Sequence, residues 1–111
     1  MNIIHTKNFD SAFKKLQKHR VEYNNLLKIL DIIENTNTFN ELLILPQVKM
    51  YGFERMKYDK RDFYSFNLCK NGGVIRLIVK PKENNNIEIY LVTISFNHYD
   101  DFDIRKVNYC G

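Results

Sequence analysis

A chain of 111 residues with 44% hydrophobic and 14% aromatic content can bury one core but is too short for two domains, and it is too apolar for wholesale disorder. Seventeen lysines and arginines against thirteen carboxylates give a net charge of +4 and a pI near 9.1, a balance that favours anionic partners. Cys69 and Cys110 lack C-x-x-C or ligand spacing, no run approaches the roughly 18 apolar residues of a membrane span, and Met1 to Lys7 carries no export signal. These features argue against a disulfide framework, a zinc site and a membrane anchor, and a reducing cytoplasm is the expected setting.

Phe9, Ala12, Phe13 and Leu16 recur at helical spacing and predict a helix over residues 8–19, with Asn8 or Asp10 available as its cap. Tyr23, Leu26, Leu27, Leu30 and Ile33 form the apolar stripe of a second helix from about Val21 to Glu34. Lys14, Lys15, Lys18, His19 and Arg20 add positive charge that either tracks a phosphate backbone or forms a solvated face. Asn35-Thr36-Asn37 breaks the helix, and Thr38 with Glu41 has capping-box spacing ahead of a short helical turn that Pro46 should stop.

Gln47 to Arg61 reads as a polar, irregular loop. In it Lys49, Arg55, Lys57, Lys60 and Arg61 interleave with Tyr51, Phe53 and Tyr58, a mixture suited to holding phosphates while stacking bases, or to a loop pinned on a sheet edge. From Asp62 the period changes to two: Tyr64, Phe66 and Leu68 alternate with Phe63, Ser65 and Asn67. Lys70-Asn71-Gly72-Gly73 supplies a turn, and the next strand sets Ile75, Leu77 and Val79 on one face against Val74, Arg76, Ile78 and Lys80, with Pro81 ending its pairing. A turn through Lys82 to Asn86 leads to Ile87–Phe96, apolar on both phases and therefore covered on both faces. The predicted architecture is a single α+β domain over residues 1–111, two N-terminal helices packed on an antiparallel sheet of three to four strands.

Arg76 within an apolar strand must find an anion or water, as must the His98-Tyr99 pair where the last strand runs out. Two helices, a polar loop, an antiparallel sheet, an arginine inside a strand and a terminal His-Tyr follow one another in an order that resembles the RelE/ParE superfamily of bacterial toxins. Within it the chain looks most like the YoeB-like ribosome-dependent mRNA endonucleases. Glu54-Arg55-Met56-Lys57 resembles the family's acidic and basic residues ahead of the sheet, and Ser65-Phe66-Asn67-Leu68 its first long strand. Arg76-Leu77-Ile78-Val79 resembles the arginine-bearing strand, and His98-Tyr99 the terminal catalytic pair. The chain continues past that pair through Asp100 and Asp101, which put negative charge beside it.

The resemblance implies the toxin of a type II toxin–antitoxin system, a metal-independent mRNA endonuclease that needs no cofactor. Glu54 would take the proton of an RNA 2′-hydroxyl, Arg76 would hold the pentavalent phosphate through its forked donors, and His98 would protonate the departing oxygen. Tyr99 would orient or stack on a base, and Lys49, Arg55, Lys57, Lys60 and Arg61 would bind the nucleic acid. A cognate antitoxin and mRNA are the expected partners, with the ribosome a further candidate.

Plain alternatives stand beside each role: a surface carboxylate at Glu54, an ion pair between Arg76 and Glu88 across the hairpin, and a strand cap at His98-Tyr99. The alternative function is a non-enzymatic phage or mobile-element accessory protein that binds a protein or nucleic-acid partner. A nuclease is sensitive at Arg76 and His98, a binding protein at Tyr51, Arg55 and Tyr58.

Overall fold

The computed structural model describes residues 1–69, 73–83 and 86–109. Most of the turn expected at Lys70 to Gly73, the tip of the turn from Lys82 to Asn86, and Cys110 lie outside the described residues. The first strand, β1 (Asn2–His5), ends at Thr6, which caps the first helix, α1 (Lys7–Leu16). The Thr6 hydroxyl accepts the Phe9 N–H at 3.0 Å and stands 3.1 and 2.7 Å from the carbonyl oxygens of Leu91 and Val92, so one buried side chain ties helix to sheet. The cap is therefore not Asn8 or Asp10. Asn8 instead reaches the far end of the chain, donating to the Lys106 carbonyl at 3.2 Å and accepting the Asn108 N–H at 2.8 Å.

The second helix, α2 (Arg20–Glu34), buries Leu26, Ile29 and Ile33 together with Asn25, whose amide donates to the Leu68 carbonyl at 2.7 Å. That bond fixes the helix's rotation and leaves Leu27, a member of the predicted stripe, exposed. Thr38 accepts the Glu41 N–H at 3.2 Å and so caps α3 (Phe39–Ile44), as the capping-box spacing requires. Pro46 does end that run, but it also opens α4 (Pro46–Lys49) from the first-turn position, where its missing N–H costs nothing. The following segment is likewise more ordered than its composition suggests, with β2 (Glu54–Arg55) and a 3-10 turn at Tyr58–Lys60.

The remaining strands are β3 (Tyr64–Asn67), β4 (Arg76–Pro81) and β5 (Glu88–Ser95), and the sheet order is β1-β5-β4-β3-β2. The α+β class holds, while the sheet has five strands and is mixed, because β1 lies parallel to β5, Asn2 opposite Glu88. A parallel return needs a long crossover, and the helices supply it. On one face Phe66, Leu68, Leu77, Val79, Ile89 and Leu91 meet the helices through Phe9, Leu16, Leu26 and Ile29, all at most 1% exposed. Burying each such side chain stabilises the fold by roughly 1.5–3 kcal/mol.

Phe63, Ile78 and Val92 point to the other face, where Met56 and Phe102 close a smaller cluster and Ile104, Val107 and Tyr109 pack on it. From Phe102 to Tyr109 the chain is thus a cover folded back across the sheet. β5 is covered on both sides, as its continuous apolarity demands, while Ile87 just ahead of it is exposed.

Candidate functional site

The helix-free face is open where β2, β3 and β4 run past the end of the cover. Strand register decides what stands there. Glu54 of β2 lies directly opposite Ser65 of β3, and Arg76 of β4 is flanked by Asn67 and Ser95. Facing residues share a side of the sheet, so Glu54 and Arg76 project to the same face from rows two residues apart. With strands about 4.8 Å apart and about 3.4 Å per residue, their Cα atoms are separated by roughly 12 Å, a gap two long side chains can close around a small anion.

The cleft so formed has a volume of about 390 Å³. Glu54, Arg76, His98 and Tyr99 all line it, and Arg55, Lys57 and Lys60 contribute further cations, so four positive side chains face the two carboxylates Glu54 and Asp59. Lys49 and Arg61, the other two basic residues singled out in the sequence, do not line it. Lys49 ends α4, and Arg61 lends only its carbonyl, which accepts from the Arg55 guanidinium. A larger groove of about 510 Å³ between α1 and the cover holds Lys7, Lys15 and Lys106, but no histidine.

Arg76 is half-buried. One guanidinium nitrogen donates to the Gly73 carbonyl, and the group lies 5.9 Å from the centre of the Tyr99 ring. It forms no ion pair with any described residue, and Glu88, the partner suggested by the hairpin, is at the other end of β5 beside Lys82 at 3.7 Å. A fork donor with its charge uncompensated by a carboxylate is suited to an incoming anion. The Tyr99 hydroxyl is bonded to Ser65 at 2.7 Å, on the residue that faces Glu54. The rings of His98 and Tyr99 are 4.9 Å apart, and the His98 imidazole is exposed, with no hydrogen bond to a described residue.

Backbone strain gathers here. Among the described residues the only non-glycine positions with positive φ are Tyr58 (60°), His98 (49°) and Tyr99 (77°), and all three line the cleft. Left-handed backbone at a bulky residue is held only where the surroundings over-determine it. For His98 and Tyr99 the constraint is visible. The buried Ser95 hydroxyl accepts the Tyr99 N–H at 2.9 Å and donates to the Asp101 carboxylate, which also takes the Phe96 N–H at 3.1 Å, while the His98 N–H bonds the Val74 carbonyl at 3.1 Å. Asp101 is therefore turned into the turn that presents the pair.

Ser65, Ser95 and Asp101 are the site residues that sequence reasoning missed. A serine closing an apolar strand four residues before a tyrosine, with an aspartate two residues further on, was the available signal for the Ser95 turn. Tyr58 stands out among the aromatics of the basic loop, but its left-handed backbone gives no signal, since neither glycine nor asparagine marks the position. Among the described residues no three His, Cys, Asp or Glu side chains gather as a metal would require.

No protein-family model matches the chain, and no curated protein matches it in sequence. Solved structures do match in fold. YafQ from Escherichia coli strain BL21(DE3) is 19% identical with a TM-score of 0.61, over 86% of this chain and 91% of that one. The YoeB/ParE toxin from Agrobacterium tumefaciens is 11% identical with a TM-score of 0.62, over 87% and 99%. The E. coli DinJ-YafQ toxin-antitoxin complex supplies a third, 17% identical with a TM-score of 0.62, over 92% and 97%. The chain has the fold that the YafQ and YoeB/ParE toxins share.

Proposed function

We propose that the protein is the toxin of a toxin–antitoxin pair and cleaves mRNA without a metal, and that a small antitoxin protein neutralises it. One observation carries this reading: Glu54, Arg76, His98 and Tyr99, drawn from β2, β4 and the turn after β5, line a single cationic cleft. The fold it shares with YafQ and YoeB/ParE toxins, one of them seen in complex with its antitoxin, supports the biological setting.

The chemistry follows from the side chains. The Glu54 carboxylate takes the proton of a 2′-hydroxyl, whose oxygen attacks the adjacent phosphorus. Negative charge grows on the equatorial oxygens, where the Arg76 guanidinium supplies two directed N–H donors and Lys57 adds potential. Protonated His98 gives its proton to the leaving 5′-oxygen as the P–O bond breaks, which yields a 2′,3′-cyclic phosphate and a 5′-hydroxyl. Tyr99, anchored on Ser65, holds the nucleotide against the Arg76 plane. Mutual alignment is the main contribution of such a site, since positioned groups replace several encounters in solution.

The test is induction of the wild-type chain, Arg76→Ala and His98→Ala in a bacterial host, with growth followed and new RNA 5′ ends mapped. Growth arrest with discrete mRNA cuts, lost in both folded variants, is the expected result. A harmless wild type, or variants equally toxic without cleavage, would overturn the catalytic reading and favour a protein that acts by binding.

A further inference from the structure

Of the three aromatic residues interleaved with the basic loop, two are used by the fold. Tyr51 is 5% exposed, and Phe53 stacks on Phe66 with ring centres 4.2 Å apart. Tyr58 is 86% exposed, and its ring makes no aromatic contact or hydrogen bond with a described residue. Its backbone is nevertheless firmly set. The Lys60 N–H bonds the Lys57 carbonyl, the Arg61 N–H bonds the Tyr58 carbonyl (both 3.2 Å), and the Phe63 N–H bonds the Lys60 carbonyl at 2.9 Å. These bonds hold Tyr58 at a φ of 60°, where its Cβ crowds its own carbonyl.

Glycine or asparagine would meet the same turn with less strain, and a polar side chain would face water better. Neither packing nor the turn calls for a tyrosine. What surrounds it does: Lys57 and Lys60 stand on either side in the sequence, and Arg76, His98 and Tyr99 line the same cleft. A ligand that offers a flat aromatic face between negative charges fits this rim, and a nucleobase in a single strand has that chemistry.

We propose that Tyr58 is a stacking platform for a base flanking the phosphate held at Arg76, so that the strained turn serves substrate binding. This inference rests on the phosphodiester reading of the cleft. The chain contains no tryptophan, so Tyr58→Trp would install a single indole reporter at the rim. The probes are a short 2′-O-methyl oligoribonucleotide, which cannot be cut because its attacking hydroxyl is blocked, and an abasic strand of equal length. The base-bearing strand should quench the indole saturably and the abasic strand should not.

Tyr58→Ala should weaken binding of the base-bearing strand about tenfold and Tyr58→Phe by less than about twofold, with the abasic strand indifferent to both. Tyr58→Gly should lose the same affinity while melting at or above the wild-type temperature, a pairing of effects that a merely structural tyrosine would not give. Equal quenching by both strands, or wild-type affinity in folded Tyr58→Ala, would overturn the stacking role. Should that occur while the wild type cuts RNA and Arg76→Ala does not, only the platform falls. Absence of strand binding by the wild type overturns both readings together.

Discussion

Ser95→Ala removes one oxygen from a fully buried position and tests how the His98-Tyr99 turn is held. The principal lost contacts are the Ser95 hydroxyl's bond to the Asp101 carboxylate and the 2.9 Å bond from the Tyr99 N–H, beside a longer 3.4 Å bond from the Asn97 N–H. A hydrogen bond to a charged group contributes about 1.5–3 kcal/mol and a neutral one about 0.5–1.5 kcal/mol, so loss of these two principal bonds would cost an unrelaxed turn about 2–4.5 kcal/mol. His98 and Tyr99 each occupy left-handed backbone at about 1–3 kcal/mol, and unwinding recovers part of that, which brings the net loss to about 2 kcal/mol. For a domain of this size that is a fall of about 10 °C in melting temperature.

Thermal melting by circular dichroism and amide exchange at Tyr99 measure the two consequences, the second by an exchange rate that rises toward that of an open loop. The proposed RNA cleavage should fall about a hundredfold, the usual result of misplacing a reacting group by an ångström. Ser95→Thr keeps the hydroxyl and should retain far more of both. A Ser95→Ala protein that melts within about 2 °C of wild type, with Tyr99 exchange unchanged, would refute the account of the turn.

Thr6→Val keeps the side-chain shape but loses the α1 cap and the contacts to the Leu91 and Val92 carbonyls, and should lower stability in urea titration by about 1–3 kcal/mol, with Thr6→Ser close to wild type. Burial raises the Tyr109 phenol above its ordinary value of 10.0, with the nearby Tyr90 and Asp62 adding to the effect. Its contribution to stability is therefore whole below pH 10 and is lost as pH rises through the higher folded value. Absorbance at 295 nm should show a late-ionising tyrosine in the wild type that disappears in Tyr109→Phe; identical late phases in both would contradict this.

How much was legible in the sequence depended on whether the signal was local. The two-residue period from Phe63 to Leu68, the apolar runs around Arg76 and Ile87, and the Thr38–Glu41 cap each carry their information within a few residues, and each element forms, although Pro81 pairs with Ile89 where the sequence predicts the end of the ladder and β5 is confined to Glu88–Ser95. β1 does not. Asn2–His5 has no alternation to recognise, and it is a strand because β5, more than eighty residues later, offers it a parallel edge. Two-residue β2 likewise exists through its pairing with β3. Leu27 fits the helical stripe in sequence but lies exposed, because the Asn25 bond to the sheet sets the rotation of α2.

The same division runs through the site. Arg76 and His98-Tyr99 stand out because charged or polar groups interrupt apolar strands. The supports do not, since Asp101 reads in the sequence as negative charge beside the pair, whereas in the fold its carboxylate is occupied by Ser95 and Phe96. Left-handed backbone at Tyr58, His98 and Tyr99 is written in none of the usual turn residues; main-chain bonds within the turn from Lys57 to Phe63 hold the first, and the Val74 carbonyl and the Ser95 hydroxyl hold the other two.

The parallel pairing of β1 with β5 bears on how the protein is made. The first strand leaves the ribosome early but has no sheet partner until Glu88 to Leu91 follow, and the cleft is incomplete until His98 and Tyr99 emerge. Contacts of such sequence separation are slow to close and cannot form on a partial chain. At roughly 5–20 residues per second, synthesis of the first 99 residues occupies about 5–20 s, during which the nascent chain carries its lysines and arginines but no assembled site. The cleft is therefore assembled only when nearly the last of these residues has been added.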